Sequence, residues 1–258
     1  MTQQRSPVPV LVHGFLGFVR IGPLYYFRGV ERALRAMGIE PLIPRLPYAG
    51  TIAERAGVLA LALRDHGAAS FVLLGHSMGG LDGRYVIANL DPDRRVRGLV
   101  TVATPHLGSV VARRLLEDPG PVARAARGLW RSALTDLDPR TREREPIPDR
   151  PDVHYASYAA FRPHGEIAGS IRFVAGSIHE DSDGLVPAAS ARWGEFRGTL
   201  RADHLELVGW SLAPANRASA RPFDHISFWC QTVAASIAFA EGVNHGAATD
   251  TATAHAGR

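Results

Sequence analysis

Lysine is absent. All 29 basic positions of this 258-residue chain are arginine, set against 25 acidic residues for a formal net charge of +4. A basic excess invites an acidic partner. The arginines are scattered, however, and the densest group (Arg113, Arg114, Arg124, Arg127, Arg131) alternates with apolar residues at helical spacing. A solvated basic face explains that pattern, and with no recognition motif beside it nucleic acid is not an expected partner. Cysteine is nearly absent too. Cys230 stands alone, so neither an intrachain disulfide nor a thiolate zinc cluster can form. Its neighbours Phe228 and Trp229 point to a buried, inert thiol. No apolar run approaches the ~20 residues that span a bilayer. Residues 1–9 carry Arg5 but no apolar stretch of a secretory signal, so a cytoplasmic location is expected.

What remains is an ordinary globular composition, 46% apolar and 21% charged. The length suits one large domain that buries about three quarters of its extended surface. Residues 8–12, 39–43, 71–74, 96–102 and 171–175 read as strands. Residues 25–37 have helical periodicity and stop at Gly38, and Thr51-Ile52-Ala53-Glu54 is a capping box for a helix ending at Gly67. Residues 81–89 and 223–241 read as further helices. Strands alternating with helices predict an α/β domain with a mostly parallel sheet covered on both faces. Residues 110–166, helical and then polar and proline-rich, read as a cap insertion, and 243–258 as a disordered tail after a single domain of residues 1–242.

One motif carries chemistry. Gly75-His76-Ser77-Met78-Gly79-Gly80 lies between the apolar run 71–74 and the helix-like stretch from Leu81. A G-x-S-x-G turn in that context is a nucleophile elbow: glycines two positions either side of the serine remove side chains that would clash. Ser77 is left strained, at a helix N-terminus that favours developing negative charge. A serine nucleophile needs an orienting acid, a base and donors for an oxyanion.

Asp183, followed by Gly184 and a short apolar stretch, is the acid candidate, with Asp181 the alternative. His204, 21 residues after Asp183, and His225 are rival bases, each in a loop before a helical turn, and spacing and context favour His204. His106 and His179 have weaker claims, His106 because it precedes the acid. Backbone N–H groups of Met78, after the nucleophile, and Phe15, in the His13-Gly14-Phe15 loop after the first strand, are the expected oxyanion donors.

Five ordered segments resemble the triacylglycerol lipases of bacteria and fungi, within the α/β-hydrolase superfamily. They are Val12-His13-Gly14-Phe15-Leu16-Gly17, the elbow continued through Leu81-Asp82-Gly83-Arg84-Tyr85, Thr104-Pro105-His106-Leu107-Gly108-Ser109, Asp183-Gly184-Leu185-Val186 and Asp203-His204-Leu205. The resemblance covers residues 7–241. It implies an α/β-hydrolase fold, with Ser77 as nucleophile, Asp183 as acid and His204 as base acting on carboxylic esters or lipids without a cofactor. It also makes the 104–109 segment a structural turn under the cap. The same machinery serves acyltransferases and amidases, and a binding protein without turnover would be marked by a lost triad member. Many relatives hold a structural calcium near the acid and base loops. Glu206 falls at a suitable position but no second carboxylate matches, so no metal is assigned. The signal peptide and disulfide common among relatives are missing, which weakens extracellular lipolysis more than ester hydrolysis.

Overall fold

The computed structural model describes residues 6–167, 178, 180–210 and 222–253, with residues 243–253 as backbone only. Its strands are β1 (Val8–Val12), β2 (Arg20–Ile21), β3 (Leu24–Tyr25), β4 (Phe71–His76), β5 (Val96–Val102), β6 (His154–Ala160) and β7 (Glu195–Leu200). The helices are α1 (Val30–Ala36), α2 (Ile52–His66), α3 (Met78–Asn89), α4 (Val110–Glu117), α5 (Pro121–Asp136), α6 (Pro139–Arg144) and α7 (His225–Thr253).

Five strands form one parallel sheet in the order β1-β4-β5-β6-β7. Alternation along the strands sorts their side chains to two faces. Val10, Val12, Phe71 and Leu73 pack with Leu59, Leu63 and Val86 of α2 and α3. Leu11, Val72 and Leu74 pack with Val30, Leu34 and Trp229 of α1 and α7 on the other. Each fully buried leucine of these faces contributes roughly 2 kcal/mol. The α2 capping box is present: Glu54 N–H donates to Thr51 Oγ1 (3.1 Å) and Thr51 N–H to Glu54 Oε2 (2.8 Å). The expected parallel α/β sheet, covered on both faces, is the observed one. No helix among the described residues is long and apolar enough to cross a membrane.

Several expected elements differ. Residues 25–37 are not one helix: Tyr25 ends a short β2–β3 hairpin, and Gly29, at φ 77°, delays α1 to Val30. Residues 39–43 make a single parallel bridge, Leu42 to Val10, because Pro41 and Pro44 supply no N–H for a ladder. The stretch 110–166 holds α4, α5 and α6, but it also contains β6, a strand paired on both sides within the sheet. β7 was not anticipated. The helix expected to end at 241 continues to Thr253, into the stretch expected as a tail, where alanines favour helix. The strand expected at 171–175 lies outside the described residues.

Candidate active site

The turn from β4 into α3 holds Ser77 at φ 55°, ψ −132°, a left-handed backbone conformation costing about 1–3 kcal/mol for a non-glycine residue. The surroundings enforce it. Ser77 N–H donates to the Val102 carbonyl at the end of β5 (2.9 Å). A Cβ on Gly75 would stand 2.5 Å from Gly80 N, so strand and helix cross only where both lack side chains. Ser77 is partly exposed between buried neighbours, and it opens on a cleft of about 530 Å³. Apolar side chains line that cleft, among them Phe15, Phe18, Leu115, Trp130 and Val208. His204 opens on the same cleft.

Asp183 is 1% exposed and fully engaged. Its Oδ1 accepts N–H bonds from Leu185 (2.9 Å) and Val186 (2.8 Å), and its Oδ2 lies 2.6 Å from His204 Nδ1. The His204 N–H also donates to the Asp183 carbonyl (3.0 Å), so the two loops are joined by backbone as well as side chain. A carboxylate placed there accepts the Nδ1 proton and leaves Nε2 free to take one. The alternatives stand elsewhere. Asp181 is exposed, and His225 packs at the start of α7 with Nε2 2.7 Å from the Arg28 carbonyl. His106 is buried under the sheet end, between Thr101 Oγ1 (3.0 Å) and the Trp193 ring. Burial and the nearby Arg84 charge hold its pKa well below the usual histidine value. His179 lies outside the described residues.

Both expected oxyanion donors border the serine. Met78 N–H is the first of α3, hence among the amides that no helical carbonyl can satisfy. In the loop after β1, Gly14 N–H, Leu16 N–H and Gly17 N–H all have acceptors, whereas Phe15 N–H has none among the described residues. Gly14 must be glycine here, because a Cβ would stand 2.7 Å from Ser77 Cβ.

Sequence reasoning has His13 and Gly14 shape this loop but does not single out Arg55 and Asp82, which brace it. Arg55, fully buried on α2, donates to the His13 carbonyl (2.6 Å), to Pro47 O (2.5 Å) and to Asp82 Oδ2 of α3 (2.9 Å). Burial outweighs Arg55 and pushes the Asp82 carboxyl up to about 6. The His13 ring accepts from Leu46 N–H at Nε2 (3.3 Å) and faces the Gly14 carbonyl through Nδ1 (3.0 Å). Burial, aided by Arg55, lowers its pKa to about 4. The bonds from Arg55 to His13 and Asp82, and from Leu46 to His13, span 27 to 42 residues, and no local spacing marks them.

Solved structures share the arrangement of sheet and helices. A metagenomic carboxyl esterase aligns with a TM-score of 0.69 and 23% identity, over 94% of this chain and 77% of its own. The lipase of Staphylococcus hyicus aligns with a TM-score of 0.68 and 17% identity, over 93% and 98% respectively. The fold is the α/β-hydrolase fold. By sequence, the chain is similar to triacylglycerol lipase 2 of Saccharomyces cerevisiae, with 30% identity over 72% of this chain and 62% of that protein. It is also similar to the triacylglycerol lipase of Pseudomonas fragi, with 36% identity over 43% and 38%. The chain thus spans less than two thirds of these curated relatives. No protein-family model matches it.

Proposed function

We propose that this α/β-hydrolase is a serine carboxylic-ester hydrolase, lipase-like, acting through an acyl-enzyme on esters of short to medium acyl chain. The observation that carries the reading is that His204, held at Nδ1 by the buried Asp183, opens on the same apolar cleft as the strained Ser77. His204 Nε2 takes the Ser77 hydroxyl proton as Oγ attacks the ester carbonyl carbon. The carbonyl oxygen gathers negative charge and accepts the Phe15 and Met78 N–H groups. Such donors act on charge that exists only in the transition state, and removing one costs about 10²–10³ in kcat. His204 then gives the proton to the departing alcohol oxygen, breaking the ester bond. Water repeats the cycle on the acyl-enzyme, with the acid released and Ser77 regenerated. Asp183 holds the imidazole in the tautomer this needs and stabilises its cationic form.

The test is covalent labelling with a fluorophosphonate together with turnover of a soluble nitrophenyl ester. Ser77→Ala is expected to abolish labelling and to lower turnover by about 10⁶-fold. Undiminished labelling of that variant overturns the assignment. His204→Ala is expected to abolish turnover and His225→Ala to spare it, whereas the reverse would move the base to α7. Asp183→Asn is expected to lose about 10⁴-fold, because an amide favours the wrong imidazole tautomer.

A further inference from the structure

Tyr26 stands where three parts of the site meet. Gly14 N–H donates to its hydroxyl oxygen (3.0 Å), and that oxygen lies 2.7 Å from His76 Nδ1. The His76 ring in turn packs against the His204 ring, with centroids 4.6 Å apart and planes at 45°. Each contact falls one residue from a group with a proposed role in the reaction: Gly14 precedes Phe15, and His76 precedes Ser77. The other ring nitrogen of His76, Nε2, is buried and has no hydrogen-bond partner among the described residues. Gly14 N–H already donates to the Tyr26 oxygen. Among the described residues His76 Nδ1 is the one acceptor within reach of the Tyr26 O–H, so Nδ1 accepts that proton and the His76 proton sits on Nε2. The proton order along the line is then Gly14 N–H to Tyr26 O, and Tyr26 O–H to His76 Nδ1. Burial keeps His76 neutral, its pKa well below the usual value, so it does not repel an imidazolium forming on His204. Tyr26 keeps its proton, with burial pushing its pKa up to about 12.

Resting on the esterase reading above, we propose that Tyr26 and His76 are a positioning pair that sets the oxyanion loop, the nucleophile elbow and the base loop relative to one another. Tyr26 borders the cleft beside Ser77: its hydroxyl and Ser77 Oγ both lie within 3.1 Å of the point where a Gly14 Cβ would stand. Without the hydroxyl, the direct link from Gly14 to His76 is gone, and the loop is held from its other side alone, by Arg55 and the His13 ring. The Phe15 N–H would then wander relative to the oxygen it must meet. Misplacement on the order of 1 Å costs about 10²-fold in rate. Because that oxygen is charged only in the transition state, the loss belongs in kcat rather than KM.

The experiment uses the full chain and nitrophenyl butyrate, with fluorophosphonate labelling as a count of intact sites. Wild-type labelling at Ser77 comes first, and its absence would sink the esterase reading rather than this one. Tyr26→Phe is expected to label to full stoichiometry, to lose about tenfold to a hundredfold in kcat and to keep KM within about twofold. His76→Leu is expected to lose as much, while His76→Asn, whose side-chain carbonyl still accepts the Tyr26 proton, recovers most of the rate. The double variant Tyr26→Phe, His76→Leu should be no slower than the slower single variant. A Tyr26→Phe kcat within twofold of wild type overturns the pairing, and so does a loss carried by KM. Independent losses that multiply in the double variant, or a His76→Asn enzyme as slow as His76→Leu, overturn it equally. The two His76 variants decide the question if Tyr26→Phe does not fold.

Discussion

Arg162 forks onto the Glu206 carboxylate, with Nε 2.9 Å from Oε2 and Nη2 3.1 Å from Oε1. Both groups are buried, and they join the chain after β6 to the loop that carries His204. Glu206 Oε2 also accepts the Asp203 N–H (2.8 Å), while Asp203 Oδ1 accepts the N–H groups of Leu205 and Glu206. The base loop is thus held by charge-assisted bonds and anchored from outside by a guanidinium. The positive charge facing Glu206, a position weighed above as a cation ligand, is that of Arg162.

Removing one side of such a pair leaves a buried charge uncompensated. Glu206→Ala is expected to cost about 3 kcal/mol in urea unfolding. It should also lower kcat, because His204 loses its frame. Arg162→Lys should recover only part of the function, since an ammonium cannot fork onto both oxygens. Equal stability of Glu206→Ala and wild type would show that the pair does not brace the loop.

The strain at Ser77 makes a separable prediction. Glycine adopts φ 55° without the steric cost a Cβ incurs, so Ser77→Gly should stabilise the fold by about 1 kcal/mol while abolishing turnover. Thermal unfolding of Ser77→Gly and Ser77→Ala side by side checks it. A Ser77→Gly melting temperature no higher than that of Ser77→Ala would mean the turn holds no relievable strain.

The elbow was legible in the sequence because its spacing is local, although only Gly75 is required by atoms of the turn itself: a Cβ on Gly79 would meet the Val12 carbonyl and one on Gly80 the Thr104 side chain. Helix α2 was legible for the same reason, its capping box lying within four residues. β6 was not. Its sequence, His-Tyr-Ala-Ser-Tyr-Ala-Ala, has no strong strand propensity, and it is a strand because β5 and β7 supply ladders on both sides. β7 is an edge strand with much exposed surface, so it lacks a buried apolar signal. His204 and His225 both precede a helical turn; spacing and context favour His204, and the path of the chain is what sets its Nδ1 against Asp183. The Tyr26–His76 contact spans 50 residues and the Arg55–Asp82 bond 27, distances at which spacing carries no information.

Three buried neutral histidines set the acid limit of stability. His13 titrates at about 4, and His76 and His106 well below 6.5, all first because of burial. In the unfolded chain each binds a proton near pH 6.5. Between that pH and the folded values the unfolded state holds more protons, so stability present above pH 6.5 is lost as pH falls. His13 alone accounts for about 3 kcal/mol over the fall to pH 4. Asp82 acts oppositely: raised to about 6, it binds its proton earlier in the folded state and offsets one histidine as pH falls. Asp136, also raised by burial, acts in the same sense as Asp82, and three histidines against two carboxyls leave a net loss. Urea midpoints should drop steadily from pH 6.5 to 4.5, and His106→Gln should flatten the slope by about one proton if it still folds. A midpoint that holds or rises over that range would contradict these burial assignments.

The last prediction concerns acyl length. Trp130 breaks the helical path of α5, at φ −136° and ψ 22°, and its ring meets Phe15 edge-on with centroids 5.9 Å apart. It therefore forms a wall of the cleft directly beside the loop that offers the Phe15 N–H. A cleft of about 530 Å³ sits within the range that encloses a small molecule. The wall residues Leu115, Trp130 and Leu134 also pack α4 and α5 onto Met78 and Leu81, so a large outward swing of these helices would uncover core. The expected profile over nitrophenyl esters peaks at short to medium chains, with little increase in rate when substrate forms an emulsion. Trp130→Ala should move the optimum to longer chains, raising kcat/KM for a dodecanoyl ester relative to a butanoyl ester by about tenfold, the scale set by one or two extra buried methylenes. A strong jump in rate at an emulsion surface with long-chain triglycerides would show instead that the cap swings clear, and that Trp130 is part of a moving lid.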